Sequence, residues 1–529
     1  MRRGWRSKEP DMPLQPMSPG NGRKHEDFRV LFLYPNIQMC ALMPSGIALL
    51  SAMLKREGFT VDLFDCTFYQ NPLNANFPFY HASLRPVNWE EKGVRFFQSD
   101  LAADLQRKVD QFGPNLIAVS VVENTYEIGL RLVKSLRQRI PTVFGGVFAT
   151  YAPEKIIKEE VVDFVCRGEG EEALVDLCIR LCRGLPVEDT PNMFVKMDGR
   201  VVQNLIRPTI DLNTLPFPDF DLFDPQSIYR PMQGKIWRTI GVETQRGCPF
   251  TCAYCNSPSN NQAYTADKSG KFYRKKRLER VREELNWLVK RYQPELIYFV
   301  VDTFLAMSDD EFHELARMYL DFRIAFWMNT RCETITPERA EWLERMNCLR
   351  MSMGIEHGNP AYRDQMLKRR VSNERMLDAF RAVAGRRYAV NGNSIVGMPG
   401  ETRELAFDTI RFNRQLPKEI ESSGAFIFAP YHGTSLREIA IREGYLDPES
   451  IVSLSHDAGS MLDMPQFRRE EIIGLARTFS LYVKLPETSY PEIRIAERVD
   501  GVGDRHYESL LKRFREETYG VGALDPIDS

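Results

Sequence analysis

Short apolar runs alternate with amphipathic helical stretches from Phe28 onward. The run FRVLFLYP is typical of a buried β-strand, and PSGIALLSAMLKREGF has the apolar spacing of a helix that ends at Gly58. Four further strands are predicted in TVDLFDC, LIAVSVV, TVFGGV and DFVCRGEGE. This alternation favours a parallel sheet with helices on both faces, which is a Rossmann-like α/β domain.

A second alternating region begins near Trp237, and its strand candidates are RTIGVETQ, LIYFVV, IAFWMNT, CLRMSMGIE, AVNGNSIVGM and GAFIFAP. Because helical patterns lie between them, these six units predict a partial (β/α)6 barrel. Beyond Ile439 the pattern becomes mainly helical. The predicted division is a flexible tail (1–27), the Rossmann-like domain (28–185) with an inserted loop (70–100), a linker that packs on a neighbour (186–236), the partial barrel (237–440) and a helical C-terminal region (441–529).

Composition and charge exclude only a few classes of protein. The 529 residues are 43% hydrophobic and 27% charged, which allows large buried cores. A net charge of −2 gives no electrostatic reason to expect a nucleic-acid partner. No apolar run is long enough to span a bilayer, and the N-terminal residues lack the apolar core of a secretory signal. We therefore expect a cytoplasmic protein without a membrane span.

Three of the ten cysteines, Cys248, Cys252 and Cys255, lie together in QRGCPFTCAYCNSP, whereas the others are scattered through mostly apolar segments. Three thiolates can hold a metal, but a closed zinc site or an ordinary iron–sulfur cluster usually has four ligands. We interpret the spacing as a [4Fe–4S] cluster with one iron left open. The alternatives are a zinc knuckle completed by a distant residue and three unrelated thiols.

The motif Cys248-x-x-x-Cys252-x-Tyr254-Cys255 resembles the signature of the radical S-adenosylmethionine superfamily. In that family S-adenosylmethionine chelates the open iron, and one-electron reduction yields a 5′-deoxyadenosyl radical that abstracts hydrogen from the substrate. The resemblance implies that the three cysteines bind the cluster and that Tyr254 belongs to the cofactor site. It also implies an electron donor such as a flavodoxin or ferredoxin.

Residues after the later barrel strands match the family's S-adenosylmethionine contacts in part. Asp302 stands in VDT where the family often has Gly-Gly-Glu, so its carboxylate is expected to meet the methionine ammonium group. Arg331 in NTR is expected to pair with the methionine carboxylate, and Glu356 in MGIEHG to accept from the ribose. SIVGMPGE resembles the fifth-strand motif, in which backbone around Ile395 and Gly397 meets adenine. The alternatives are a turn cap for Asp302 and a surface ion pair for Arg331.

The first domain has its own candidate site at the ends of two predicted strands. Ser120 ends one strand, and Gly145 and Gly146 end the next, where paired glycines let a ligand lie against the backbone. Together with CRGEGEEAL, this combination resembles the cobalamin-binding domain, in which the Ser and Gly-Gly line a slot for the dimethylbenzimidazole tail. The alternative is a set of turn glycines in an ordinary Rossmann-like sheet.

The loop after the first strand departs from one pattern of that family. It reads YPNIQMCALMPSG and lacks the Asp-x-His-x-x-Gly of domains that ligate cobalt through histidine. The lower face of cobalt is then expected to be open or only weakly touched. His81 in the inserted loop is a candidate ligand, although a solvated loop histidine is the favoured interpretation.

These resemblances predict an enzyme whose cofactors are a [4Fe–4S] cluster, S-adenosylmethionine and cobalamin. The predicted reaction is methyl transfer to an unactivated carbon of a small-molecule or lipid-like substrate. The alternatives are an oxidative cyclase or rearrangement enzyme of the same architecture and a non-catalytic iron–sulfur or corrin sensor. A methylthiotransferase acting on tRNA is disfavoured, because the first domain lacks that family's additional cysteine cluster. The aromatics of NANFPFYHASL and the turn Tyr431–Ser435 are candidate substrate contacts, although packing is the favoured role for both.

Overall fold

The computed structural model describes residues 24–36, 43–69, 87–197, 199–421, 424–453 and 459–519. Several sequence predictions fall outside these residues and stay predictions. They concern most of the 1–27 tail, the greater part of the inserted loop and the candidate ligand His81.

The first domain is built on a seven-stranded sheet. Its strands are β1 (Arg29–Tyr34), β2 (Thr60–Asp65), β3 (Leu116–Ser120), β4 (Thr142–Gly145), β5 (Phe164–Cys166), β6 (Met193–Met197) and β7 (Arg200–Gln203). Their order across the sheet is β2-β1-β3-β4-β5-β6-β7, with β1 to β5 parallel and the last two antiparallel. The parallel part confirms the Rossmann-like prediction. Folds of this kind bind ligands at the carboxyl ends of the strands, where the strand order reverses.

Helices pack on both faces of this sheet. They are α1 (Ser45–Arg56), α2 (Leu101–Phe112), α3 (Glu123–Lys134), α4 (Val147–Tyr151), α5 (Pro153–Ile156) and α6 (Glu171–Arg183). Neighbouring strand residues point to opposite faces, so Phe32 joins a buried cluster with Leu54 of α1 and Leu177 of α6. Leu31 faces the other way, into a cluster with Leu105 of α2.

The segment 186–236, predicted as a linker, contributes strands to both sheets. Strands β6 and β7 extend the first sheet beyond the predicted domain end at 185, and β8 (Tyr229–Met232) pairs antiparallel with β9 (Lys235–Val242) of the second sheet. Strands of four or five residues carry too little periodicity to be recognised among prolines and aspartates. The rest of the segment packs closely, since Phe220 and Phe223 are buried in the core.

The second domain is a partial barrel. The strands after β9 are β10 (Gln245–Arg246), β11 (Arg274–Lys275), β12 (Leu296–Phe299), β13 (Ala325–Arg331), β14 (Cys348–Glu356), β15 (Ala389–Val396) and β16 (Ala425–Ile427). Strands β9 and β12 to β16 are parallel, which confirms the predicted (β/α)6 arrangement, while β10 and β11 form a separate pair. The helices are α7 (Ser257–Ala266), α8 (Leu278–Tyr292), α9 (Asp309–Tyr319), α10 (Pro337–Arg345), α11 (Pro360–Gln365), α12 (Asn373–Val383) and α13 (Arg403–Asn413).

The C-terminal region is helical, as its sequence pattern predicts. It contains α14 (Ser435–Arg442), α15 (Arg469–Lys484), α16 (Tyr490–Ala496) and α17 (Gly501–Tyr519). Helix α15 is buried along most of its length, because α13, α16, α17 and strand β16 all pack against it. In the part of the chain that the structure describes, no helix is long and apolar enough to cross a membrane.

One buried cluster joins the two domains. It includes Phe32 and Val143 of the first sheet together with Ile240, Val242 and Phe299 of the barrel. The two parallel sheets are therefore held together by a shared apolar core.

Candidate functional site

The cysteine loop lies between β10 and α7, at the carboxyl end of the first barrel strand. Ala253 fixes the loop in two directions. Its N–H donates to the Leu367 carbonyl at 3.0 Å, and its own carbonyl accepts from the Leu436 N–H at 3.0 Å. Barrels of parallel strand–helix units place their active sites at this end.

Each cysteine sulfur of the loop has a different polar neighbour. The contacts are Cys248 Sγ with Thr303 Oγ1 (3.5 Å), Cys252 Sγ with Arg331 Nη1 (2.7 Å) and Cys255 Sγ with the Ser257 N–H (3.4 Å). Within the described ranges, no group of three or more Cys, His, Asp or Glu side chains has the geometry of a metal site. The thiols thus share one loop, but they must turn toward a common point before they can hold a cluster.

Burial governs the protonation of two of the thiols, Cys248 and Cys255. It raises the pKa of Cys255 to about 12 and raises the pKa of Cys248, and Asp302 and neighbouring thiols add to both shifts. Buried thiols that oppose one another's ionisation need a cation to hold them as thiolates. Cys248, Cys252 and Cys255 therefore fit an iron–sulfur cluster, since its irons supply that charge.

Asp302 follows β12 beside the cysteine loop. Its carboxylate accepts a hydrogen bond from Ser257 Oγ at 3.1 Å, which ties it to the residue two positions after Cys255. The side chain stays accessible, yet desolvation by the surrounding protein raises the pKa of its carboxyl. An ammonium group placed here would favour the charged carboxylate, as the methionine end of S-adenosylmethionine requires.

Arg331, Glu356 and Tyr254 are brought together by a chain of charged residues, of which Arg369 is buried and the others are half-buried. Arg331 pairs with Glu333, and Glu333 also pairs with Arg369 at 3.3 Å. Arg369 in turn pairs with Glu356 at 3.0 Å and lies 3.5 Å from the Tyr254 hydroxyl. Burial raises the pKa of Glu356 although Arg369 opposes the shift, and burial likewise raises the pKa of Tyr254.

The backbone is strained where this network meets the end of β14. Glu356 has φ +65°, in the left-handed region that a residue with a side chain adopts at a cost of about 1–3 kcal/mol. The register between β14 and β15 shifts at Gly354 and Glu356. This irregular end directs Glu356 toward Arg369, and the sequence prediction of a ribose contact stays a prediction.

The segment after β15 is held from within by Glu401. Its carboxylate accepts from the Gly397 N–H at 2.6 Å and the Met398 N–H at 3.0 Å, and His357 Nε2 lies 3.2 Å from its other oxygen. Gly397 has φ +78°, and a Cβ there would lie 2.8 Å from a side chain of α15, so only glycine fits. Because Glu401 occupies the Gly397 N–H, any adenine contact must use other backbone atoms, such as those of half-buried Ile395.

Ser120, Gly145 and Gly146 line one wall of a cavity of about 360 Å³ between the two domains. They meet because β3 and β4 are neighbours, with Ser120 opposite Gly145. Gly146 has φ +96°, and a Cβ there would lie 2.5 Å from the Val121 carbonyl oxygen, so the turn requires glycine. At Gly145 a Cβ would have Cys166 Cβ as its nearest neighbour, at 3.9 Å.

The opposite wall of this cavity comes from the barrel and from the segment predicted as a linker. Leu212, Leu215 and Pro216 make part of it apolar, next to Leu49 and Leu174 of the first domain. A largely apolar slot with a backbone wall at Gly145 fits the dimethylbenzimidazole tail of cobalamin. The segment 186–236 therefore also lines this cavity, which its sequence does not reveal.

Charged residues of the RGEGE motif line the same cavity. Arg246 of β10 pairs with Glu169 at 2.6 Å, with Glu171 at 2.7 Å and with Glu243 at 3.0 Å. Glu169 also pairs with Arg274 of β11. The motif that resembles a cobalamin-domain pattern thus joins the first domain to the barrel.

A smaller cavity, of about 260 Å³, lies where the first domain faces the cysteine loop. The predicted substrate turn lines it through Tyr431 and His432, and the ends of β3 and β4 line it through Val122 and Val147. His432 Nδ1 lies 2.8 Å from Glu123 Oε1, so a carboxylate of the first domain orients this histidine. The other predicted aromatic segment, NANFPFYHASL, lies outside the described residues.

Tyr151 connects the two cavities with the cysteine loop. It lines both cavities, and its hydroxyl donates to the Asn256 carbonyl at 2.9 Å. Asn256 directly follows Cys255. The two candidate cofactor sites are therefore neighbours in space, although they lie about 100 residues apart in sequence.

Sequence reasoning missed several residues that organise this site. Arg369 lies in MLKRR, a charged run typical of an exposed surface, and only its 1% exposure shows that it is internal. Glu123 gave no signal, because its partner is 309 positions away. Glu401 could have been found, since it ends the SIVGMPGE motif.

Comparison with known proteins agrees with both halves of this description. Residues 242–412 match the Radical SAM superfamily, and residues 41–178 match the B12 binding domain. The fold resembles that of the radical S-adenosylmethionine methyltransferase TsrM from Kitasatospora setae, solved with cobalamin and a [4Fe–4S] cluster bound. The TM-score is 0.60 at 16% identity, over 92% of this chain and 99% of that one.

Two relatives carry different activities in their names. An uncharacterized methyltransferase of Pyrococcus horikoshii is 28% identical over 69% of this chain and 78% of its own length. An anaerobic magnesium-protoporphyrin IX monomethyl ester cyclase of Rubrivivax gelatinosus is 23% identical over 73% of this chain and 65% of its own length.

The fold and site define an α/β enzyme with a three-cysteine loop at the mouth of a partial barrel and a second candidate cofactor cavity between its domains. The chain belongs to the radical S-adenosylmethionine enzymes that carry a B12-binding domain. Its cofactors are a [4Fe–4S] cluster, S-adenosylmethionine and cobalamin.

Proposed function

We propose that this enzyme transfers a methyl group to an unactivated carbon of a small-molecule or lipid-like substrate. The observation that carries the proposal is the position of Tyr151, which lines the proposed cobalamin cavity and donates to the residue after Cys255. A methyl carrier and a radical source would then border the same small cavity. Methylation of an unactivated carbon needs this proximity, because a carbon radical must meet its methyl donor before it reacts elsewhere.

The chain contributes placement and charge, and the cofactors contribute the reactive groups. When bound, cobalamin supplies a transferable methyl group, and the cluster with S-adenosylmethionine supplies the radical. Asp302 and Arg331 offer opposite charges on the two sides of the cysteine loop, which suits the ammonium and carboxylate of methionine. Arg369 holds Glu356 and Tyr254 beside them.

The cavity of about 260 Å³ is the proposed substrate site. Val122 and Val147 are 44% and 51% exposed there, and an apolar ligand would cover them. The His432–Glu123 pair adds one polar anchor, because a histidine whose Nδ1 is held by a carboxylate can present Nε2 to a hydroxyl or amine. We therefore propose a substrate with an apolar body and one hydrogen-bond donor.

An oxidative cyclase is the second candidate, favoured by the relative from Rubrivivax gelatinosus. The two reactions differ in their products. Methyl transfer forms S-adenosylhomocysteine and a product in which a methyl group replaces a hydrogen, whereas cyclisation forms an oxidised product without S-adenosylhomocysteine. Mass spectrometry of both fractions distinguishes them.

The first test is anaerobic reconstitution with iron, sulfide and hydroxocobalamin, followed by metal analysis and incubation with S-adenosylmethionine and a reductant. We expect about four irons and about one cobalt per chain, with 5′-deoxyadenosine formed. Replacing Cys248, Cys252 and Cys255 together by Ala should abolish iron binding and 5′-deoxyadenosine formation. Iron uptake without cobalt would remove the methyl-transfer proposal.

A matched control separates loss of ligands from loss of any buried thiol. Cys178→Ala removes a fully buried cysteine of α6 that lies far from the loop in sequence, and it should keep the iron. Turnover by the triple variant would contradict the cluster assignment itself.

The reaction also needs one electron from outside the chain, and we propose a donor of the flavodoxin or ferredoxin class. We place the enzyme in the cytoplasm, where such donors and reduced thiols coexist. All cysteines in the described residues are free of disulfides, as expected for a reducing compartment.

A further inference from the structure

A third cavity, of about 570 Å³, opens on the exposed side of the cysteine loop, apart from the two inter-domain cavities. Its rim is formed by Pro249, Phe250 and Thr251 of the loop and by Lys368 and Arg370 after α11. Pro249, Thr251, Lys368 and Arg370 are all exposed to solvent. We call these five residues the loop rim.

The loop rim is positively charged. Arg331, Lys368 and Arg370 line the cavity against a single carboxylate, Glu333, which is already shared by two arginines. Arg370 is 86% exposed and has Asp364 at 2.9 Å, whereas Lys368 has no carboxylate partner among the described residues. A partner with an acidic face would therefore be attracted to this surface.

The side chains of residues 368–370 point in two directions. Arg369 is 1% exposed and belongs to the internal network with Glu333 and Glu356, while Lys368 and Arg370 on either side of it face solvent. Lys368 has φ +52°, so the chain turns sharply at this position. The loop rim is thus anchored to the cofactor site by the residue between its two charges.

Arg331 connects the loop rim to a cluster ligand. Its guanidinium donates to Cys252 Sγ at 2.7 Å and lies over the Phe250 ring at 3.9 Å from the ring centroid. A protein seated on the rim would be separated from a cluster-binding sulfur by one side chain. The other side of the loop packs against protein, since the backbone of Ala253 is hydrogen-bonded to the backbones of Leu367 and Leu436.

We propose that the loop rim is the docking surface for a small acidic electron-transfer protein. The proposal rests on the proposed function, which requires an external electron. One electron leaves the reduced flavin or iron–sulfur centre of the donor, which is oxidised by one electron, and the enzyme's cluster is reduced by one. No bond is formed or broken. A small charged surface of this kind suits a transient complex, in which charge complementarity mainly sets the association rate.

The test compares two reductants on the reconstituted holoenzyme. Reduced flavodoxin needs a docking surface, whereas photoreduced 5-deazariboflavin is a small uncharged reductant that does not. In the double variant Lys368→Glu with Arg370→Glu, cluster reduction by flavodoxin should slow by about tenfold or more at low salt, followed by absorbance and electron paramagnetic resonance. Reduction by deazariboflavin should change less than about twofold. Flavodoxin binding, measured by fluorescence anisotropy, should weaken in parallel.

A matched control is available on α12. Arg381 is exposed and has Asp378 at 2.9 Å, just as Arg370 has Asp364 at 2.9 Å. Arg381→Glu should leave both reduction rates unchanged, whereas Arg370→Glu alone should slow only the flavodoxin rate. Added salt should slow the wild-type flavodoxin rate and leave the double variant nearly unaffected.

The outcomes separate the docking surface from the function. If the double variant accepts electrons from flavodoxin and from ferredoxin as fast as the wild type, the docking proposal is wrong. It is also wrong if neither protein reduces a wild-type cluster that deazariboflavin does reduce. If deazariboflavin gives no 5′-deoxyadenosine with the wild type, the proposed function fails, and the docking proposal fails with it.

Discussion

Individual charges in this site are stabilised in groups rather than in isolated pairs. Glu333 forms ion pairs with Arg331 and Arg369, and Arg369 also forms an ion pair with Glu356. Removing one member of a largely buried set leaves its partners uncompensated, which costs more than the pair itself contributed. Single substitutions within such a set should therefore have large effects.

Glu333→Gln tests this at the centre of the network. It leaves Arg369 with one carboxylate and leaves Arg331 without any carboxylate partner among the described residues, so the free energy of unfolding should fall by about 3 kcal/mol. Urea denaturation at pH 7 measures the change. Glu404→Gln is the control, because Glu404 is 80% exposed and also pairs with an arginine, and its effect should stay within about 0.5 kcal/mol.

The comparison of the wild type with Glu333→Gln also predicts a pH dependence of the free energy of unfolding. Burial alone would raise the pKa of Glu333, but Arg369 and Arg331 outweigh it and hold the pKa below its usual value. A carboxyl with a lower pKa in the folded state stabilises the fold above its unfolded pKa, about 4.3, and loses that contribution as the pH falls through the folded pKa. The difference between wild type and Glu333→Gln should shrink when unfolding is measured at about pH 3. A difference that persists undiminished would contradict the assignment.

Gly145 is the residue that best separates cobalamin binding from folding. A leucine there has open cavity in front of it, so Gly145→Leu should reduce cobalt uptake by about tenfold or more while iron content stays unchanged. Gly501→Leu is the control, since Gly501 is exposed and a Cβ there would meet only Arg505. Undiminished cobalt uptake by Gly145→Leu would contradict the interpretation of the inter-domain cavity as the cobalamin site.

At the scale of elements, the ends of the parallel strands decide the chemistry. Strands β3 and β4 bring Ser120 next to Gly145, and β12 to β14 present Asp302, Arg331 and Glu356 at one edge of the barrel. The segment after β15 is fixed locally by Glu401, which accepts from two of its backbone N–H groups.

Glu401→Gln should loosen the segment after β15. The side chain is fully buried and accepts from two backbone N–H groups, so losing its charge should lower the free energy of unfolding by about 2 kcal/mol. S-adenosylmethionine affinity of the reconstituted enzyme, measured by calorimetry, should fall as well. Glu438→Gln, an exposed carboxylate of α14, should change neither quantity. Unchanged affinity with reduced stability would mean that the segment does not contact the cofactor.

At the scale of the whole molecule, the two domains act as one unit because charged and apolar contacts both cross their interface. Arg246 of the barrel meets Glu169 and Glu171 of the first domain in the wall of the cavity proposed for cobalamin. His432, which lies between β16 and α14, meets Glu123 of the first domain at the cavity proposed for the substrate.

Arg246→Ala should weaken this unit. It leaves Glu169, Glu171 and Glu243 with one fewer positive charge in a buried setting, and the expected loss in the free energy of unfolding is about 3–5 kcal/mol. Cobalt retention after desalting should fall, because the wall of the cavity moves. Arg291→Ala, which removes an exposed pair with Asp221, should have a far smaller effect, because exposed ion pairs contribute little to stability. An equal effect of the two substitutions would show that the interface does not depend on Arg246.

The sequence determined by itself those features that are written in consecutive residues. Apolar periodicity over a single element predicted the strand–helix alternation of both domains, and the spacing of Cys248, Cys252 and Cys255 indicated an open-iron cluster. These signals are local, because a strand, a helix or a metal-binding loop needs only its own residues to be recognised. The very short strands in 186–236 lie below that limit.

Tertiary packing determines which distant residues meet. It made Arg369 internal although its neighbours Lys368 and Arg370 are exposed, and it brought Tyr151 to Asn256 across the domain boundary. Such contacts depend on how two sheets pack against each other. No local pattern encodes that packing, because burial of apolar surface is set by the whole core rather than by any one segment.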